Sequence, residues 1–349
     1  MGSPLERKLV VITGKGGVGK TTVASAIGML GASRGLRTLV VEVGDQDRVP
    51  ALFGRASPGG GAEIQLRERL WSTTIDPDRA LLEWLQALGG RISGRLLASS
   101  STFQYFSAAA PGAKELVSMV KLWNLTGAKG VRAARYDVVV LDAPATGHAL
   151  GMLQSPQTFG TIARVGPVAA QARQVRALLE DPARCSYIAV THATELAVTE
   201  TLELQGELYR LLERTLQAVV INGVLPLRFT AGELRRLRAL EESGRETAVA
   251  APEGQAASGS EAPGAARETA AVSARRRPAA QERIAVRERL LASATHAARA
   301  VHDRSRMQHN QIARLRRRDF EVLGIPFQFV DELDLEAVGR IAQHLGRKL

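Results

Sequence analysis

Nine consecutive residues near the start of the chain, Gly14-Lys15-Gly16-Gly17-Val18-Gly19-Lys20-Thr21-Thr22, constrain the fold more than anything else in the sequence. They fit the pattern G-x-x-x-x-G-K-[ST] and lie between a continuous β-prone run, Leu9-Val10-Val11-Ile12, and a helical stretch from about Thr21 to Arg34. That context is what the pattern requires. Glycines let backbone N–H groups converge on an anion, and the N-terminus of the following helix adds the positive end of its dipole. Lys20 is placed to reach the β- and γ-phosphates of a nucleotide, and the Thr21 hydroxyl to coordinate Mg2+. Gly14, Lys15, Gly16, Gly17, Val18, Gly19, Lys20, Thr21 and Thr22 are therefore the candidate nucleotide-binding residues.

A loop of this kind needs a parallel sheet behind it, and the rest of the chain supplies the pattern. Strands are expected at 8–13, 39–43, 137–141, 187–191 and 218–222, separated by helical stretches such as 195–215. Alternating strands and helices imply βαβ units, and hence a doubly wound, mostly parallel α/β sheet of the P-loop NTPase type. A last strand is expected around 327–330, and a C-terminal helix from about Leu335. Asp142 ends the apolar run Val138-Val139-Val140-Leu141. A carboxylate at that strand end can hold a magnesium-bound water, so Asp142 joins Thr21 as the expected metal site.

Two segments break the rhythm. Residues 76–132 carry no strand pattern and read as a helical insertion subdomain within one 1–349 ATPase domain. Residues 243–281 are rich in Ala, Gly, Ser, Glu and Pro, without periodic apolar positions, and read as a disordered linker. Residues 282–349 then supply a basic helix and the last strand and helix. The formal charge of +11 is concentrated there: between Arg275 and Arg318 thirteen arginines stand against Glu282, Glu288 and Asp303, a net +10. A solvated helix face and a patch for an acidic partner, lipid or nucleic acid are the two readings of that run. Nothing in it singles out nucleic acid. Cys185 is the only cysteine, which excludes an intrachain disulfide and a structural zinc site built from this chain's cysteines. No apolar run reaches the roughly 18 residues of a membrane span, and Met1–Lys8 has no apolar leader core. The sequence thus predicts a soluble, cytoplasmic protein.

Lys15, directly after the first glycine, and Asp142-Ala143-Pro144-Ala145-Thr146-Gly147-His148 resemble the loop and second switch of the ArsA and tail-anchored-protein-targeting ATPases, which have a deviant Walker A loop. Ala109-Ala-Pro-Gly-Ala-Lys-Glu115, Val220-Ile-Asn-Gly-Val-Leu-Pro226, Arg304-Ser-Arg-Met-Gln308 and Ile325-Pro326 are similar to further elements of that family. The resemblance implies a Mg2+-dependent ATPase working as a homodimer, with Lys15 acting on the partner's ATP. It also implies Asn222 and Pro326 as base contacts, and a hydrophobic or membrane-associated client bound by the helical insertion. Leu81, Leu82, Leu85, Leu88, Ile92, Leu96 and Leu97 form the apolar stripe there, a pattern that is more often core than client site.

The sequence departs from the family at its first switch, where D-P-A-H is replaced within Val41-Glu-Val-Gly-Asp-Gln-Asp-Arg48. Gly44 occupies the place of the water-orienting aspartate. Asp45 is the expected substitute, with Asp47 and Glu42 as alternatives. Positioning ATPases of the ParA and MinD kind, acting on membrane or DNA, and a slow nucleotide-binding scaffold are the rival readings.

Overall fold

The computed structural model describes residues 2–44, 47–57, 59–84, 86, 112–127, 135–162, 165–249 and 266–349. In chain order the elements are β1 (Leu9–Thr13), α1 (Lys20–Ser33), β2 (Thr38–Val43), α2 (Arg48–Leu52), β3 (Ile64–Arg67), β4 (Leu70–Ile75), α3 (Ala113–Leu125), β5 (Val138–Asp142), α4 (Thr146–Ile162), α5 (Pro167–Glu180), β6 (Cys185–Thr191), α6 (Glu195–Leu212), β7 (Ala218–Val224), α7 (Ala231–Val249), α8 (Ala266–Leu315), β8 (Glu321–Pro326) and α9 (Leu335–Gly346). They fall into two compact units, Met1–Val224 with Asn310–Leu349, and Leu225–His309.

The first unit is built on an eight-stranded sheet in the order β3-β4-β2-β5-β1-β6-β7-β8. Only the β3–β4 pair is antiparallel. The other pairings are parallel. A strand covered on both faces must be apolar at successive positions, which is why β1 and β5 read as unbroken aliphatic runs. Alternation then sorts the side chains. Leu9, Val11, Leu39, Val41, Val139 and Leu141 enter one core layer with residues of α3, α4, α5 and α6. Val10, Ile12, Val40, Val138 and Val140 enter the other, with Val23 and Ile27 of α1 and Val338, Ile341 and Leu345 of α9. Each such side chain contributes roughly 1.5–3 kcal/mol by burial. The apolar stripe of α9 thus closes the core beside α1.

Helix α1 comes unusually close to the sheet. A Cβ at Gly28 would stand 2.6 Å from Val40 Cγ2, and one at Gly31 2.5 Å from Thr38 Oγ1. Glycine is the residue that permits such an approach.

Several expectations change. The last strand is Glu321–Pro326 rather than 327–330. Leu323 and Ile325 alternate into the core, whereas Phe327 and Phe329, whose aromatic character suggested a strand, are exposed and pack edge-to-face at 4.9 Å. The β3–β4 hairpin was not anticipated. It turns through Arg69 at φ 58° and forms the sheet edge. Of the proposed insertion, a helix at 77–84 and α3 are described, with Leu81 buried in the core. Leu85, Leu88, Ile92, Leu96 and Leu97 lie outside the described residues.

The second unit contains α7 and the greater part of α8. A capping box starts α7: Thr230 Oγ1 accepts from the N–H of Glu233, and Glu233 Oε2 accepts from the N–H of Thr230 at 2.7 Å. The Leu225 N–H donates to Gln308 Oε1 at 2.8 Å, and Ser305 Oγ donates to the Leu225 carbonyl at 3.3 Å. Within the stretch read as a disordered linker, 243–249 are helical in α7 and 266–281 in α8. Alanine, glutamate and arginine are strong helix formers, which the reading from missing apolar periodicity overlooked. Residues 250–265 lie outside the described set. On α8, Arg283, Arg287, Arg289, Arg299, Arg304 and Arg306 are exposed. Among the described residues no helix is long and apolar enough to cross a membrane.

Candidate active site

The carboxyl ends of β2, β5 and β1 lie side by side, the edge at which parallel α/β sheets present their ligand sites. The loop after β1 turns against β6 so closely that a Cβ on Gly14 would lie 2.2 Å from the Val190 carbonyl oxygen. Val18 is buried in the core, and its carbonyl accepts from Asn222 Nδ2 at 3.0 Å, tying the loop to the end of β7. The remaining loop residues Gly16, Gly17 and Gly19, with Lys20, Thr21 and Thr22, line an open cavity of about 1130 Å³. Glu42, Gly44, Arg48, Asp142, Ala143 and Leu335 stand on its other walls.

Lys20 folds back over its own loop, donating to the carbonyls of Gly14 at 3.1 Å and Lys15 at 3.0 Å. Burial lowers its pKa, Asp142 opposes that change, and Arg48 adds to it. Thr21 Oγ1 donates to Asp142 Oδ2 at 2.6 Å. Asp142 is 8% exposed, and its Oδ1 is buried without a hydrogen-bond partner. Burial raises its pKa against the Thr21 hydroxyl and the charges of Lys20 and Arg48. A buried carboxylate oxygen with no donor is costly, and beside a threonine hydroxyl it suits a hard divalent cation or its water. The residues present therefore fit Mg2+. Among the described residues no group of three or more His, Cys, Asp or Glu forms a metal cage, and a Mg2+ ion held by one carboxylate and a hydroxyl would take its further ligands from water or phosphate oxygens.

Glu42 faces Asp142 in register across β2 and β5. Its carboxylate accepts the Arg48 N–H at 2.9 Å and the Val49 N–H at 3.0 Å, which satisfies the start of α2. Burial pushes its pKa up to about 7 despite those two hydrogen bonds, and Asp142 and Asp47 push it the same way. Asp47 accepts a hydrogen bond from the Thr74 hydroxyl. Gly44 has φ +126°, a region where a side chain is strained. Asp45 lies outside the described residues.

Lys15 does not line the large cavity. Its Nζ meets Glu200 Oε1 of α6 at 2.8 Å, and it borders a second cavity of about 510 Å³ with Gly16, Thr146, Glu203, Glu207 and Arg210. Asn222 lies two residues before the end of β7 and Pro326 ends the neighbouring β8, both outside the residues that line the large cavity. His148 is exposed in the first turn of α4. Arg48 and Glu200 were missed as site residues. Arg48 had a readable signal, a cation directly after the first switch. Glu200 is 185 positions from Lys15 and had none.

A strand, a glycine loop and a helix, with Thr21 bonded to the acid ending an adjacent parallel strand, define a P-loop nucleoside triphosphatase. Residues 7–166 match the family model described as anion-transporting ATPase, ArsA. The chain is 30% identical over 241 residues to ATPase BagA of Mycobacterium tuberculosis, covering 66% of this chain and 68% of that protein. It is 30% identical over 153 residues to ATPase ASNA1 homolog 1 of Paramecium tetraurelia, covering 43% and 44%. To the arsenical pump-driving ATPase of Acidiphilium multivorum it is 28% identical over 232 residues, covering 61% and 39%. The chain belongs to the ArsA family of ATPases.

Proposed function

We propose that this chain is a Mg2+-dependent, ATP-hydrolysing switch that works in the cytoplasm as a homodimer and couples its nucleotide state to a hydrophobic or membrane-associated client. The observation that carries the nucleotide reading is the Thr21–Asp142 pair, with its unpartnered buried Oδ1, beside Lys20 in the large cavity. The backbone N–H groups of the 14–22 loop would bind the phosphates. Lys20 would exchange its two carbonyl partners for β- and γ-phosphate oxygens, a stronger charge-assisted pairing. Thr21 and Asp142 would hold Mg2+, which when bound neutralises charge growing on the transferred phosphoryl group. Asn222 and Pro326 would border the base.

Lys15, outside its own phosphate cavity, would leave Glu200 and stabilise the transition state in the partner's site. The attacking water needs an acceptor. Glu42 is held by two amides and Asp47 by Thr74, so the proposal places that role on Asp45. Family membership and the charge of the loop support the switch reading, because differential contacts to the terminal phosphate are what drive such loops between two states. The test is phosphate release from ATP by the full chain with Mg2+, compared with Lys20→Ala. Turnover is expected to fall to background in the variant, and near-parental turnover would remove the reading.

A further inference from the structure

Arg48 opens α2, the short helix that follows the first switch, and lines the phosphate cavity together with Gly16, Lys20, Thr21 and Asp142. Its backbone is clamped. The N–H groups of Arg48 and Val49 donate to the two carboxylate oxygens of Glu42 at 2.9 and 3.0 Å, and Val49 beneath it is fully buried. Glu42 is itself 4% exposed and lies in register with Asp142 on the adjacent strand. A buried acid at a strand end thus fixes where the cation's backbone stands relative to the metal-binding acid. Arg48 thus shares one cavity with Lys20 and Asp142.

A guanidinium differs from the ammonium of Lys20. It cannot lose its charge near neutral pH, and it offers a planar fork of donors that matches two phosphate oxygens at once. The loop serves the inner phosphates of any bound nucleotide, and Lys20 reaches the β- and γ-phosphates. Arg48 supplies a second cation in the same cavity for the group that only a triphosphate carries.

We propose that Arg48 binds the terminal phosphate of the nucleotide within the same subunit, so that the cavity distinguishes a nucleoside triphosphate from a diphosphate by this contact. The inference rests on the nucleotide-site reading above and deepens it. Gly44 has removed the carboxylate expected in the first switch, and Arg48 gives that switch a different hold on the same phosphate.

The test measures dissociation constants of ADP and of a β,γ-imido ATP analogue, both with Mg2+, for the parent chain, Arg48→Ala and Arg48→Lys. Arg48 is exposed on a short helix, so its replacement leaves the core unchanged, and melting curves check this. Arg48→Ala is expected to weaken the analogue on the order of tenfold or more while ADP stays within about twofold, the size of one lost charge-assisted contact. Arg48→Lys should recover part of the loss. The proposal is overturned if both nucleotides weaken together in Arg48→Ala, or if neither does. A parent chain that binds neither nucleotide would instead overturn the nucleotide-site reading.

Discussion

The two cavities that flank the phosphate loop hold two lysines five positions apart in very different ways. Lys20 is half-buried, and neutral carbonyls of its own loop cap its ammonium in the cavity that contains Asp142. Lys15 is exposed and paired with a carboxylate on α6, in a cavity bordered by Glu200, Glu203 and Glu207. A phosphate easily out-competes a carbonyl for a cation. A carboxylate yields only to an anion or a rearrangement that replaces it. One lysine thus rests on weak neutral acceptors and the other on a carboxylate. An exposed ion pair is worth only about 0–1 kcal/mol, so Glu200 is a light restraint on Lys15.

The largest expected effect that would sharpen this contrast is at Lys15. Lys15→Ala should lower single-turnover ATP hydrolysis on the order of 10³-fold, the scale of a cation supplied in trans. ADP affinity, measured by titration calorimetry, should stay within a few-fold. A parallel fall in both quantities would make the two lysines equivalent and erase the comparison.

Removing the restraint should act in the opposite direction and more weakly. Glu200→Gln keeps the shape of the side chain but not its charge, so turnover at limiting protein concentration should rise by up to about fivefold, the limit set by an exposed pair. The gain should shrink as salt is added. Slower turnover at every salt concentration would show that Glu200 serves the reaction rather than restraining it.

The smallest effect belongs to an ion pair at the far end of the same strands. Asp137 accepts from Arg37 on its side chain and its backbone N–H. The Arg37 guanidinium is the main cause that holds its pKa down at about 2, against some burial. A depressed carboxyl stabilises the fold above its unfolded value near 3.8 and loses that contribution as pH falls towards 2. Asp137→Asn should cost about 0.5 kcal/mol at neutral pH in a denaturant melt, and flatten the acid limb of stability in that window. Turnover should not change, because this pair lies before β2 and β5, at the opposite end of the strands from the loop.

How far the sequence could be read follows from distance along the chain. The loop at 14–22 and Asp142 were readable because each needs only its own strand and the next few residues. The parallel sheet was readable because strands buried on both faces are apolar without interruption. The β3–β4 hairpin was not, since an edge pair with half its side chains in solvent leaves only a weak alternation in Ile64-Gln-Leu-Arg67. The last strand slipped by about six residues because Phe327 and Phe329 carry the β-prone signal while Leu323 and Ile325 carry the burial. The helix through 266–281 has no apolar periodicity to announce it, and its one local signal is the helix propensity of its alanine, glutamate and arginine residues. The hold of Glu200 on Lys15 depends on how α6 packs, which no local pattern encodes.

Gly28 and Gly31 give the helix behind the loop a mechanical role. At these two positions the backbone of α1 rests directly on Val40 and Thr38, with no side chain of its own between. The helix that carries Lys20 and the strand that carries Glu42 are thus packed as closely as their backbones allow, and any side chain added at position 28 or 31 would have to push them apart.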